Sequence, residues 1–211
     1  MGRVSYSNCW RYVITLTKIH IMKKLLYILL AFASSANAND FDTSQHNFKL
    51  RSGDIGGEVR QERNSAKDHY QLSYYGVDNL ILDYRYVDNP NNVENRIRGT
   101  YELYDNGTIF IKPRLEYRHF NEASNYWRLR SIIGVRYNIS KDITAWTDTQ
   151  TSWNFGNGQE NNTKIDTNQA RIGIDYSVNS NTSLGTFVQY ETDKDWNKTG
   201  VFFGTSVSIK F

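Results

Sequence analysis

The stretch Trp127-Arg128-Leu129-Arg130-Ser131-Ile132-Ile133-Gly134-Val135-Arg136-Tyr137 alternates in character along its length. In an extended chain successive side chains point to opposite faces, so Trp127, Leu129, Ile133, Val135 and Tyr137 share one face while Arg128, Arg130, Gly134 and Arg136 share the other. A soluble β-sandwich solvates one face of each strand but has no need to make that face so rich in arginine. A strand with hydrocarbon outside and a watery lumen inside has such a need.

The same period of two recurs from Phe48 to Phe211, with no heptads and no helical apolar stripe. It predicts ten strands, at about 47–62, 69–76, 79–87, 94–104, 108–120, 126–138, 142–154, 164–178, 182–192 and 200–211. Tight turns around Val77-Asp78, Asp105-Asn106-Gly107, Ser140-Lys141 and Asn179-Ser180-Asn181 alternate with longer polar connections near 63–68, 88–93, 121–125, 155–163 and 193–199. Short turns at one end and longer loops at the other predict an all-β, transmembrane, antiparallel up-and-down β-barrel. An even strand count puts both termini on the periplasmic side. Apolar faces ending in Tyr70, Tyr86, Tyr117, Trp127, Trp153 and Tyr190 at the loop end, and in Tyr137, Tyr176 and Phe211 at the turn end, match aromatic girdles at two headgroup levels. The chain closes on Val201, Phe203, Thr205, Val207, Ile209 and Phe211, an alternating strand with a terminal aromatic that resembles the signal read by the barrel assembly machinery.

The N-terminal part reads differently. Met22-Lys23-Lys24, the apolar run Leu25–Ala33 and the small residues ending Ala36-Asn37-Ala38 have the layout of a secretory signal peptide over 22–38, cleaved after Ala38. The uncharged stretch is shorter than the roughly 20 residues of a spanning helix. Residues 1–21 then form an extension ahead of the signal, from a start assigned too far upstream, and 39–211 form the barrel. The expected location is the cell outer membrane, with membrane lipid as the barrel's surroundings.

The full chain has 25 Lys+Arg against 22 Asp+Glu. The first 38 residues hold five of the basic ones (Arg3, Arg11, Lys18, Lys23, Lys24) and none of the acidic ones, so the remainder carries a net charge of −2 rather than +3. A nucleic-acid partner therefore loses its compositional support. Cys9 also lies in this part, which leaves the barrel without thiol chemistry.

On the face opposite the apolar residues, the central strands carry Arg85, Arg96, Arg98, Lys112, Arg114, Arg118, Arg128, Arg130 and Arg136, against the acids Asp83, Glu102 and Glu116. Same-face residues repeat about every 6.5 to 7 Å along a strand and strands lie about 4.8 Å apart, so these side chains tile one wall as a basic track. Arginine's planar fork holds carboxylates bidentately and stays charged at any relevant pH. The facing wall has the opposite bias, with Asp142, Asp148, Asp166, Asp175 and Glu191 inward against Arg171 and Lys210. Two readings follow: an open pore with a transverse field that orients an anionic solute, or a non-conducting structural or adhesive barrel plugged by ion pairs across the lumen.

No enzyme, cofactor or metal is expected. His46, His69 and His119 lie at strand ends, with no nucleophile motif, glycine-rich phosphate loop or metal-ligand cluster near them.

The segments Ile109–Leu115, Ser124–Arg130 and Val135–Ile143 resemble the middle strands of the oligogalacturonate-specific porin family, which includes sialic-acid channels. The resemblance covers about 56–153 and the last strand. It implies a small monomeric outer-membrane porin that takes up acidic oligosaccharides, with Lys112, Arg114, Arg128, Arg130 and Arg136 lining the pore. Family barrels have twelve strands, two more than the alternation places here, as though one hairpin were absent.

Overall fold

The computed structural model describes residues 42–211 apart from 64, 91 and 157–164. The signal-peptide segment, its cleavage point and the extension before it lie outside the described residues. The described residues form thirteen strand segments: β1 Thr43–Ser52, β2 Ile55–Glu62, β3 Lys67–Val77, β4 Leu80–Asp88, β5 Glu94–Tyr101, β6 Tyr104–Asp105, β7 Ile109–Ile111, β8 Arg114–Phe120, β9 Tyr126–Asn138, β10 Ile143–Phe155, β11 Ile165–Ser177, β12 Thr182–Asp193 and β13 Lys198–Lys210. They build one sheet that closes on itself, since β9 pairs with β10 and β13 returns to β1. Segments β6 and β7 continue β5 and β8 beyond an irregularity at Glu102-Leu103 and Lys112-Pro113. Pro113 has no N–H to give to the ladder, and a proline within a sheet sits at such a break. On the other side the Glu102 N–H donates to the Asn79 carbonyl at 2.7 Å, which carries the β4–β5 ladder one pair further.

Among the described residues the wall therefore has eleven strands and no free edge. The all-β barrel expected from the alternation is present, but the count is eleven, neither ten nor twelve. The difference comes from residues 47–62, expected as one strand. They fold as a hairpin in which Ser52 pairs with Ile55 around Gly53-Asp54. Gly53 has φ +55°, the left-handed conformation that glycine adopts without steric cost.

An odd count changes the closure. Strands alternate in direction around the wall, so the first and last must run the same way, and β1 pairs with β13 in parallel from Thr43↔Phe202 to Arg51↔Lys210. The ladder reaches both ends of this seam: the Asp42 N–H donates to the Val201 carbonyl and the Phe211 N–H to the Arg51 carbonyl, each at 2.9 Å. Asp42 and Phe211 consequently lie at opposite rims. The expectation of a wholly antiparallel barrel with both ends at one rim is corrected. Phe211 shares its rim with the turns after β1, β3, β6, β9 and β11, and the loops after β2, β4, β8, β10 and β12 form the other rim.

The distribution of apolar groups is inverted relative to a water-soluble domain. Among the described residues, the buried apolar side chains are Val87, Phe110, Ile132 and Phe187, whereas Leu72, Leu82, Ile97, Leu115, Leu129, Ile133, Val135 and Ile172 stand exposed on the outer face. Aromatics cluster on that face at the loop rim, with Tyr70–Tyr86 and Tyr117–Trp127 ring centroids 6.3 and 5.0 Å apart. At the turn rim Tyr137 and Phe211 project outward and are highly exposed.

Among the inward-pointing aromatics, three each lie over a glycine directly across on the neighbouring strand: Phe110 over Gly134, Trp146 over Gly173 and Phe187 over Gly204. The missing Cβ is what admits each ring. A Cβ on Gly173 would come within 2.6 Å of the Trp146 indole and 2.8 Å of the Thr186 carbonyl oxygen. Gly173→Ala is accordingly expected to lower stability by about 1–3 kcal/mol through overpacking. Urea unfolding of the detergent-refolded barrel measures this, and an unchanged midpoint would show that the indole swings aside freely.

Candidate functional site

Eleven strands about 4.8 Å apart, tilted by about 40°, close on a backbone diameter of about 22 Å, wider than an eight-stranded barrel whose side chains fill it. The lumen holds a cavity of about 640 Å³. Its basic wall is set by the register. Arg85 pairs with Arg96 and Arg96 with Arg118; Arg98 pairs with Glu116 and Glu116 with Arg128; Arg114 pairs with Arg130. Strand alternation turns all of these side chains inward.

Of the nine cations expected on this wall, Arg85, Arg96, Arg98, Arg114, Arg118, Arg128 and Arg130 line the cavity. Lys112 and Arg136 do not. Lys112 Nζ lies 2.5 Å from Glu102 Oε1 and 3.4 Å from Asp105 Oδ2. Arg136 donates to both Asp105 oxygens, at 2.9 and 3.0 Å, and sits 4.3 Å from the centre of the Phe110 ring. These two belong to a cluster at the turn rim, so the basic track along the lumen is shorter than expected.

The arginines are also better compensated than the alternation suggested. Arg85 meets Glu58 at 3.2 Å, Arg96 meets Glu94 at 2.7 Å, and Arg118 is ion-paired with the same Glu94. Arg98 meets Asp83 at 3.0 Å with both side chains almost fully buried. Gln71 ties this group together, donating to Asp83 while its oxygen accepts from Arg85 and Arg98. Glu58 and Glu62 escaped the sequence reading because the Gly53-Asp54 turn was not recognised. Glu94 shares the parity of Arg96 and Arg98 and could have been read from it.

Arg114 and Arg130 are the exception. They share one carboxylate, Glu116, whose Oε1 lies 3.8 Å from Arg114 Nη1 and 3.9 Å from Arg130 Nε, outside hydrogen-bond range. Arg114 Nε donates to Thr100 and Arg130 Nη1 to Gln150.

On the facing wall, Asp148 is neutralised by Arg171, which donates to its two oxygens at 2.9 and 2.5 Å. Asp166 on β11 accepts at 2.7 Å from Arg128, two strands away on β9. Glu191 lines the cavity and accepts from Gln169, while Asp148 and Asp175 do not line it. The asymmetric acidic wall is thus reduced to Glu191 at the cavity surface. His69, placed at a strand end by the alternation, is buried inside the lumen 3.2 Å from Glu62; His46 faces outward beside Thr205 and His119 is exposed.

The cavity lining carries eleven Lys and Arg residues and five Asp and Glu residues. Adding Glu94, Asp148 and Asp166, which bond lining arginines from beside the cavity, still leaves three cations in excess. Among the described residues, the ion pairs join groups on the same strand, on neighbouring strands or two strands apart in the wall. They run around the barrel rather than across it. Such a lumen is chemically an anion-receptive cavity, lined by fixed guanidinium groups on a wall of paired strands.

The fold and site define a closed, mostly antiparallel β-barrel with a basic lumen. No family model matches the chain, and no curated protein matches it.

Proposed function

We propose that this protein is an outer-membrane porin for passive uptake of small acidic oligosaccharides, oligouronates or similar anions, through the arginine-lined lumen. The observation that carries this reading is the cavity's excess of cations, eleven against five on its surface. Buried charge without a partner is costly, so the surplus needs water and mobile anions. The inverted apolar distribution and the aromatic clusters support insertion in a bilayer, with the turn rim and Phe211 on the periplasmic side and the last strand read by the assembly machinery. Tyr126 and Phe120, stacked at 5.5 Å beside Arg118 at the loop rim, offer a carbohydrate-compatible mouth of aromatic faces and charge.

The non-conducting barrel is the second reading, favoured by the extent of ion pairing. The direction of the pairs weighs against it, since bonds along a wall leave the centre free. Planar-bilayer recording decides between the two. The expected result is single-channel current in potassium chloride, with anions more permeant than cations and brief interruptions on adding a galacturonate trimer. No current at any voltage would leave the plugged barrel.

A further inference from the structure

The geometry assigns to Glu116 the role of a built-in competitor that weakens carboxylate binding at Arg114 and Arg130, so that an acidic solute held there is released. This inference rests on the porin reading and names the residue that sets the dwell time within it.

Glu116 is 1% exposed, the most buried charged side chain among the described residues, yet it lies in the cavity wall. Its strand neighbours explain why it is there: across β5 and β9 it is paired with Arg98 and Arg128, and one step along its own face lie Arg114 and Arg118. It is therefore surrounded by guanidinium groups. Even so, it makes no close bond with either of its nearest arginines, at 3.8 and 3.9 Å, and its Oε2 has no hydrogen-bond partner. Arg130 Nε is likewise unpartnered. Among the described residues, the terminal nitrogens of Arg114 make no hydrogen bond.

A carboxylate placed to satisfy these arginines would sit at 2.7–2.9 Å and take two parallel N–H bonds. Glu116 stands back from that geometry. It lowers the local positive potential while leaving the donors unused, so a solute carboxylate finds two arginines already partly compensated. Binding remains favourable enough to draw the anion in and weak enough to let it go, which conduction requires. Arg85, Arg96, Arg98, Arg118 and Arg128 differ, because each is closed by a near carboxylate.

Removing the charge should convert this transit point into a trap. Taking away one unit charge about 4 Å from the site, in a largely aqueous lumen, lengthens the dwell of a bound carboxylate by about five- to tenfold. The test is single-channel recording of the full barrel with a galacturonate trimer. Glu116→Gln is expected to lengthen each interruption five- to tenfold. Glu116→Asp keeps the charge but draws it back by one methylene, and is expected to lengthen interruptions by a smaller factor. Unchanged interruptions in Glu116→Gln, with wild-type protein conducting, would overturn the competitor role and leave the porin reading standing. Should Glu116→Gln fail to fold, judged by loss of heat-modifiable mobility, unchanged interruptions in Glu116→Asp overturn it equally. Absence of current in the wild type would remove both.

Discussion

Asp83→Ala is expected to destabilise the barrel by about 3–5 kcal/mol, the cost of leaving one partner of a buried ion pair uncompensated. Asp83 and Arg98 are each 3% exposed on their side chains and meet at 3.0 Å. The carboxylate also accepts from Ser73 at 2.6 Å and from Gln71 at 2.8 Å, so its removal leaves a buried guanidinium without its countercharge and takes an acceptor from the hydroxyl and the amide. The pair itself has a different worth, because desolvation offsets much of the attraction between its members. The double substitution Asp83→Leu with Arg98→Met should therefore recover most of the loss. Urea unfolding of refolded protein gives the four corners of the cycle. Additive single effects would mean that the two charges do not depend on one another.

The second large effect concerns selectivity. Arg114→Ser combined with Arg130→Ser is expected to lower the anion-to-cation permeability ratio at least tenfold. Each guanidinium acts on a passing ion about 4 Å away with about 1 kcal/mol in water-like surroundings, and 1.4 kcal/mol is a factor of ten. The same double change at Lys112 and Arg136 should leave the ratio nearly unmoved, because both are closed by Asp105 outside the cavity. Reversal potentials in a salt gradient measure both. Equal shifts for the two pairs would mean that the conducting path follows the turn-rim cluster after all.

The contrast shows what the sequence made legible. Side-chain parity is a strict consequence of extended backbone, so the inward direction of Arg85, Arg96, Arg98, Arg114, Arg118, Arg128 and Arg130 could be counted from Trp127–Tyr137 without coordinates. Parity says nothing about depth along the barrel. Lys112 and Arg136 share the face of the others but lie at the turn rim, where the Phe110 ring packs against them and Asp105 binds them. Partners were less legible still. Register decides whether a glutamate meets an arginine, and register depends on every turn being placed correctly. One overlooked two-residue turn at Gly53-Asp54 hid Glu58 behind the wrong strand, left Arg85 apparently unpaired and made an odd barrel look even. The signal was present as a Gly-Asp dipeptide between alternating segments, a hairpin signature that a long uninterrupted alternation obscured.

The parallel seam carries a practical corollary for engineering. A chain that enters the wall at one rim and leaves at the other is a ready-made two-sided adaptor: a reporter joined ahead of Asp42 and another joined behind Phe211 would be displayed at opposite rims of the same ring. Duplicating a hairpin within the wall preserves that sidedness, since it adds strands in pairs, whereas gaining or losing a single strand such as β1 switches it.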